Sequence, residues 1–210
     1  MVKWSDVVGV VVVVAVAAAC SSGHGTSSSP STSAAAQAQY GCGQVSVDRW
    51  AAADNKSPDE PTLRLPQPPD WKIVRVSDPT VNNRLILRDD RLGTRLAPSV
   101  IVSISEVTAQ APNPQAVIDT ERNNVNQSGA TDIAATAGTV CGFQASTLTY
   151  KTDRGAPVPR AVKAIVVAPE YNGKVFDVVV TAQAGDAGDA YLPDTQTMLT
   201  GMEIKAPAAN

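Results

Sequence analysis

The sequence is short of the groups on which most catalytic and nucleic-acid-binding sites depend. It has one histidine, His24, in 210 residues. A Ser-His-Asp arrangement, a Cys-His pair in a folded domain and a histidine-based zinc site are therefore all poorly supplied. Aromatic residues make up 4% of the chain, too few for a stacking platform for bases or sugars. The formal net charge is −3 and the basic residues are scattered singly, so there is no electrostatic footprint for nucleic acid. There are three cysteines and no C-x-x-C pair. No G-x-S-x-G, Walker loop or H-E-x-x-H occurs. These absences disfavour an enzyme and call for no cofactor or metal.

The one long apolar stretch is also limited. Val7–Ala19 is 13 residues, short of the roughly 20 that a helix needs to span a bilayer. Lys3 precedes it and small residues follow, which is the layout of an export signal. The run ends in "AAAC", with Cys20 directly after three alanines. This looks like a bacterial lipobox, in which the cysteine thiol takes up a diacylglycerol and becomes the first mature residue. Ala17 stands where such motifs usually carry Leu, and Asp6 dilutes the basic start. A plainly secreted chain and an uncleaved anchor are the alternatives. On the lipoprotein reading residues 1–19 are removed and Cys20 tethers the rest to the outer face of the membrane, since two acyl chains hold firmly where one holds only marginally.

Residues 20–40 then comprise the lipidated Cys20 and a Ser/Ala/Thr/Gly-rich leash, and 41–206 a single globular domain. The nineteen residues from Ser21 to Gln39 give a mean reach of roughly 25 Å as a flexible chain. His24 lies in this leash, as spacer rather than ligand. Cys42 ("YGCGQ") and Cys141 ("TVCGF") remain. In an exported protein they form either a bridge closing a loop of about 100 residues or two buried free thiols.

Within the domain, Ser46 is a candidate N-cap for a short helix carrying Trp50. "TLRL" reads as a strand ended by Pro66. Trp71 and Ile73, with Arg75, form one face of a second, opposite Lys72, Val74 and Val76. "RLILRDD" and "SVIVSISEV" continue as strands. Asn113 as N-cap with Pro114 at the first position opens a helix whose thin apolar stripe is Val117, Ile118 and Val125. Three further strands follow, Phe143–Thr152, Val158–Pro169 and Lys174–Ala184. The last two are joined through Asn172-Gly173, a strong hairpin signal. Tyr191, Leu192, Thr195, Met198, Leu199 and Met202 recur at helical spacing, with Pro193 in the first turn. The expected fold is α+β, a mostly antiparallel sheet of six or seven strands flanked by helices.

The acidic groups in "DNKSPDE" and around Asp186 and Asp189 lack the order of a calcium loop and read as solvated turns. "RDDRLGTR" (Arg88–Arg95) reads as a solvated charge run, or as a contact for a partner or an anionic headgroup.

"PTLRLPQPPDW" (Pro61–Trp71) resembles the P-T-x-x-L-P-x-P-x-x-W entry of the LpqN/LpqT group of mycobacterial lipoproteins. In the same order follow Gly142, Phe143, Ala145, Tyr150, Arg160, Lys163, Val166, Val167, Pro169, Gly173, Val175-Phe176 and the closing "TQTMLTGMEI". The likeness covers essentially the whole mature chain and rests on the collinearity of loose motifs. It implies a Mog1/PsbP-like fold, a place in the mycobacterial envelope and no catalytic residues. The roles it implies are binding of mycolate-type glycolipids, help to their transporters, and contact with host proteins. A lipid-binding accessory would carry a groove between sheet and helices, lined by residues such as Trp71, Val117, Met198 and Met202. An interaction module would have a closed core and an exposed patch. A hydrolase would need a converging carboxylate pair or Ser/Lys dyad.

Overall fold

A computed structural model describes residues 38–40, 42–74, 83–89, 97–153, 159–184 and 188–207. Cys20, the leash before Ala38, most of the Arg88–Arg95 run, Arg75, Val76 and Asp186 lie outside the described residues. Twelve strands and two helices follow one another there. They are β1 (Ala38–Tyr40), β2 (Trp50–Ala52), β3 (Thr62–Pro66), β4 (Trp71–Ile73), β5 (Asn83–Asp89), β6 (Ser99–Glu106), α1 (Pro114–Gln127) and β7 (Thr131–Val140). After these come β8 (Phe143–Thr152), β9 (Arg160–Val167), β10 (Glu170–Tyr171), β11 (Lys174–Ala184), α2 (Gly188–Thr200) and β12 (Glu203–Lys205).

The main sheet runs β1-β7-β8-β9-β11-β6-β5-β4, with β10 added to β11 as a short hairpin. All its pairings are antiparallel except β1 with β7. A second sheet is ordered β12-β3-β2. This is the expected α+β class. The seven strands expected from alternation and the Asn113–Pro114 helix are all present, and short strands extend them.

Strand alternation assigns the two faces. Ala145, Ile165, Val167, Phe176, Val178 and Val180 point to one side, where they pack with Trp71, Met198, Leu199, Met202 and the apolar residues of β3 and β12. Leu148, Ala164, Val166 and Val175 point to the other and meet Val117 and Ile118 of α1. The sheet is thus covered by α1 on one face and by α2 with the small sheet on the other. Burial from both sides explains the unbroken "AIVV" of β9.

Local chemistry sets the ends of these elements. Asn113 Oδ1 accepts from the Ala116 N–H (2.9 Å), and Pro114 occupies the start of α1. Gly129, at φ +82°, supplies the left-handed residue after the helix. Asn172 (φ 52°) and Gly173 (φ 72°) make the tight turn of the β10–β11 hairpin.

Several expectations are corrected. Trp50 is not on a helix capped by Ser46 but in β2, which pairs antiparallel with β3. Three successive alanines carry no period, and the strand is decided by the Arg64 guanidinium lying 4.2 Å over the Trp50 ring and by the buried Ala51 beneath. The closing helix does not run to Met202. It stops at Thr200, and the chain passes through Gly201, where a Cβ would run into Val45 and Pro66. Glu203–Lys205 then forms β12 along β3, clamped by a two-pronged Arg64–Glu203 ion pair (2.7 and 2.8 Å). That helix also begins earlier than expected, at Gly188, so Pro193 lies inside it rather than in its first turn. Finally, Ala38–Tyr40, placed with the leash, is strand β1 on β7.

Strand β7 itself escapes detection in the sequence because "TDIAATAGTV" has little bulky apolar alternation. Its ladder with β8, rather than burial of its side chains, holds it in place. Ile73 is 52% exposed and does not share the buried position of Trp71.

Candidate functional site

The four residues expected to line a groove do not come together in one. Trp71, Met198 and Met202 are completely buried in the core beneath α2 (0% exposed). The Trp71 indole N–H donates to Asp194 Oδ2 on α2 at 2.9 Å, so this polar handle is satisfied internally. Val117 lies on the opposite face of the sheet, under α1. Cys42 and Cys141 are joined as a disulfide, with Cα atoms 4.7 Å apart, at the turn between β7 and β8.

An open groove does exist at the interface of α2 with the sheet, one step along from the closed core. Registered pairing places Thr149, Lys163 and Ala182 in one rank across β8, β9 and β11. It places Lys151, Ala161 and Ala184 in the next rank. Both ranks face α2, being in phase with Ala145, Ile165 and Val180 of the core. At Ile165 and Val180 large side chains reach the helix. At Ala161, Ala182 and Ala184 a methyl group does not, and α2 is left standing off the sheet. The resulting cavity is about 390 Å³, mostly apolar, walled on the helix side by Thr195, Gln196 and Leu199.

Two cations sit at its rim. Lys151 is paired with Asp132 at 2.8 Å. The Lys163 ammonium donates to Gln196 Oε1 at 3.2 Å, bridging β9 and α2 across the mouth. Of the expected lining residues none borders this groove. Its signal in the sequence is the set of inward alanines, which becomes visible only once the strand registers are known.

Two further depressions have a larger polar share than this groove. One of about 480 Å³ is bordered by Asp54, Asn83 and Arg84. The other, of about 580 Å³, lies between Arg49, Gln67 and Asp194. Among the described residues no three His, Cys, Asp or Glu side chains converge to hold a metal.

On the α1 face, Asp177 of β11 has its Oδ1 buried without a hydrogen-bond partner. Burial, and secondarily the negative charge of Glu121 on α1, pushes its pKa up to about 7. The native state then holds a proton that the unfolded chain has released between pH ~4 and ~7, so stability falls as pH rises through that window. We expect a loss of about 2 kcal/mol, allowing for residual solvent contact. Asp177→Asn should abolish the slope, as read from urea unfolding at a series of pH values; a slope unchanged in the variant would refute the assignment. Glu203 acts in the opposite sense. The hydrogen bonds from Arg64 outweigh the opposing effect of burial and, with a lesser one from Lys205, hold it down to about 2. Its contribution is present above the ordinary carboxylate range and is lost as pH falls toward 2.

The sheet, the helix laid across it and the apolar slot between them define an α+β domain with a small-molecule-sized apolar groove. No helix among the described residues is long and apolar enough to cross a membrane. The chain belongs to the family described as "Probable lipoprotein LpqN", whose model matches residues 44–205. Membership makes it a membrane-associated envelope lipoprotein.

Among solved structures it is similar to LpqN of Mycobacterium tuberculosis, described as involved in cell envelope biogenesis. That match has 20% identity and a TM-score of 0.62, covering 75% of this chain and 91% of that one. It is also similar to cyanobacterial PsbP from Synechocystis (20% identity, TM-score 0.49, covering 78% and 96%). The Saccharomyces cerevisiae Ran-binding protein Mog1p matches at 14% identity and a TM-score of 0.43, covering 67% and 89%. Comparison with curated proteins finds no match.

Proposed function

We propose that this chain is a non-enzymatic lipoprotein of the extracytoplasmic membrane face, tethered through lipidated Cys20. In this reading its domain takes up an apolar chain of an envelope lipid or glycolipid as an accessory to lipid trafficking. The observation that carries the reading is the alanine-floored groove between β8, β9, β11 and α2. Its 390 Å³ lies in the range of small-ligand sites, about 300–1,000 Å³. A water-sized group occupies about 30 Å³, so the groove holds roughly a dozen of them. A mycolate-type glycolipid would seat only a short segment there, with the remainder outside.

The alternative is a membrane-tethered interaction module for an envelope transporter or a host protein. One observation favours it. β7 pairs with β1 only at Gly138–Val140. The outer edge of Thr131–Ala137 therefore has no strand partner among the described residues, and an open edge is a template for an added strand.

Native mass spectrometry of the mature chain carrying Cys20→Ser, after incubation with envelope lipid extract, separates the two readings. A retained adduct of defined mass is expected. A clean apo mass from a folded sample would refute lipid binding and leave the interaction module.

A further inference from the structure

We infer that the groove under α2 selects a single-chain amphiphile with an anionic head, a carboxylate or a phosphate, and that Lys163 is the residue that recognises it; the inference rests on the lipid-binding reading above. Charge complementarity at the groove supports it. Among the described residues the lining carries two ammonium groups and one carboxylate, and Lys151 and Asp132 neutralise each other at 2.8 Å. Among those residues Lys163 is left as the net charge, in a chain that is acidic as a whole, at −3.

The geometry around Lys163 agrees with this role. Its ammonium is held at the mouth by a neutral group, Gln196 Oε1, at 3.2 Å. A carboxylate or phosphate oxygen in that place would make a charge-assisted hydrogen bond, roughly twice as strong as one between neutral groups. Lys163 is level with Ala182 across the sheet and next to the rank of Ala161 and Ala184, so its side chain and the alanine floor border the same groove. Head and chain are therefore recognised side by side, the head at the mouth and the hydrocarbon on the alanines against Leu199. A groove holding roughly a dozen water-sized groups suits one chain of about that many carbons and excludes a second. A neutral sugar head would draw nothing from the charge, and a cationic head would be repelled by it.

The test uses the mature chain carrying Cys20→Ser, titrated calorimetrically below micelle concentrations with dodecanoate, dodecyl phosphate, dodecyl maltoside and inorganic phosphate. Dodecanoate and dodecyl phosphate are expected to bind at least tenfold tighter than dodecyl maltoside, a difference of about 1.4 kcal/mol. Lys163→Met should erase that preference while leaving maltoside affinity within about twofold, and Lys163→Arg should restore it. Ala161→Leu, at an exposed position on the floor, should weaken all three amphiphiles by filling the groove without disturbing the core.

Equal affinity for the three heads, or a preference that survives Lys163→Met, would overturn the role of Lys163 and leave lipid binding standing. Inorganic phosphate binding as tightly as dodecyl phosphate would show a free-anion site and overturn the amphiphile. Failure of every amphiphile to bind would overturn the lipid-binding reading itself.

Discussion

Arg84→Met should destabilise the domain by about 3–5 kcal/mol, the cost of leaving one partner of a buried ion pair uncompensated. Arg84 is at the irregularity between Asn83 and Leu85, where β5 loses register with β6. Its Nη2 donates to Glu60 Oε1 (2.8 Å) and to the Ile104 carbonyl (3.0 Å). The guanidinium therefore serves a carbonyl of β6 beside the break in the ladder. Both charged side chains are nearly out of solvent, at 4% and 9% exposure. Glu60 is in turn held by the Lys56 N–H at 2.7 Å, and the Arg84 carbonyl accepts from the Asp54 N–H at 3.0 Å. The loop between β2 and β3 is thus fastened to the bulge.

Removing the cation strands the Glu60 carboxylate, which must either remain charged in a poorly solvated site or take up a proton. The paired change Glu60→Leu with Arg84→Met should recover much of the loss, because two charges then leave the interior together. Arg84 Nε and Nη1 are already buried without partners, so the intact pair carries desolvation costs that the apolar pair avoids. Urea midpoints of the single and double variants provide the measurement. A single-variant loss below about 1 kcal/mol would place the pair with exposed ones that contribute little.

The second large effect is expected on opening the Cys42–Cys141 bridge. Its cysteines are 99 residues apart in sequence. Chain-entropy estimates for a loop of that length approach 4.7 kcal/mol, and typical native bridges contribute about 2–4. Reduction, or the double change to Ser, should therefore cost about 3–4 kcal/mol of a total stability that for most domains is only about 5–15. The bridge ties the segment after β1 to the β7–β8 turn, where the Ile204 N–H of β12 also donates to Cys141 Sγ at 3.2 Å. The small sheet and the edge of the large one meet at this sulfur. The unfolded ensemble should also expand once the crosslink is gone, raising the denaturant slope with a lowered midpoint. Coincident unfolding curves with and without reductant would contradict the prediction.

The legible parts of the fold are those where local chemistry and burial agree. Asn113-Pro114, Asn172-Gly173 and the alternation in β5, β6, β8, β9 and β11 each state one local preference, and the tertiary structure honours it. β2, β7 and β12 are not legible. The first contains only Trp and alanines, the second is largely exposed, and the third is three residues whose conformation is set by Arg64 on a neighbouring strand. Trp71, Met198 and Met202 do not line a groove, because large apolar side chains at an interface fill it. The space lies instead where side chains are small.

By itself the amino-acid sequence determined the α+β class, the start of α1 at Asn113-Pro114 and the Asn172-Gly173 turn. Each of these follows from the identity or spacing of residues close together in the chain. Only the tertiary structure decided that Arg84 is buried against Glu60, that Asp177 sits under α1, and that Lys163 borders one groove with Ala161, Ala182 and Ala184. Those relations depend on the register of strands far apart in sequence. A groove is a volume that side chains from three strands and a helix fail to fill, and no single segment specifies it.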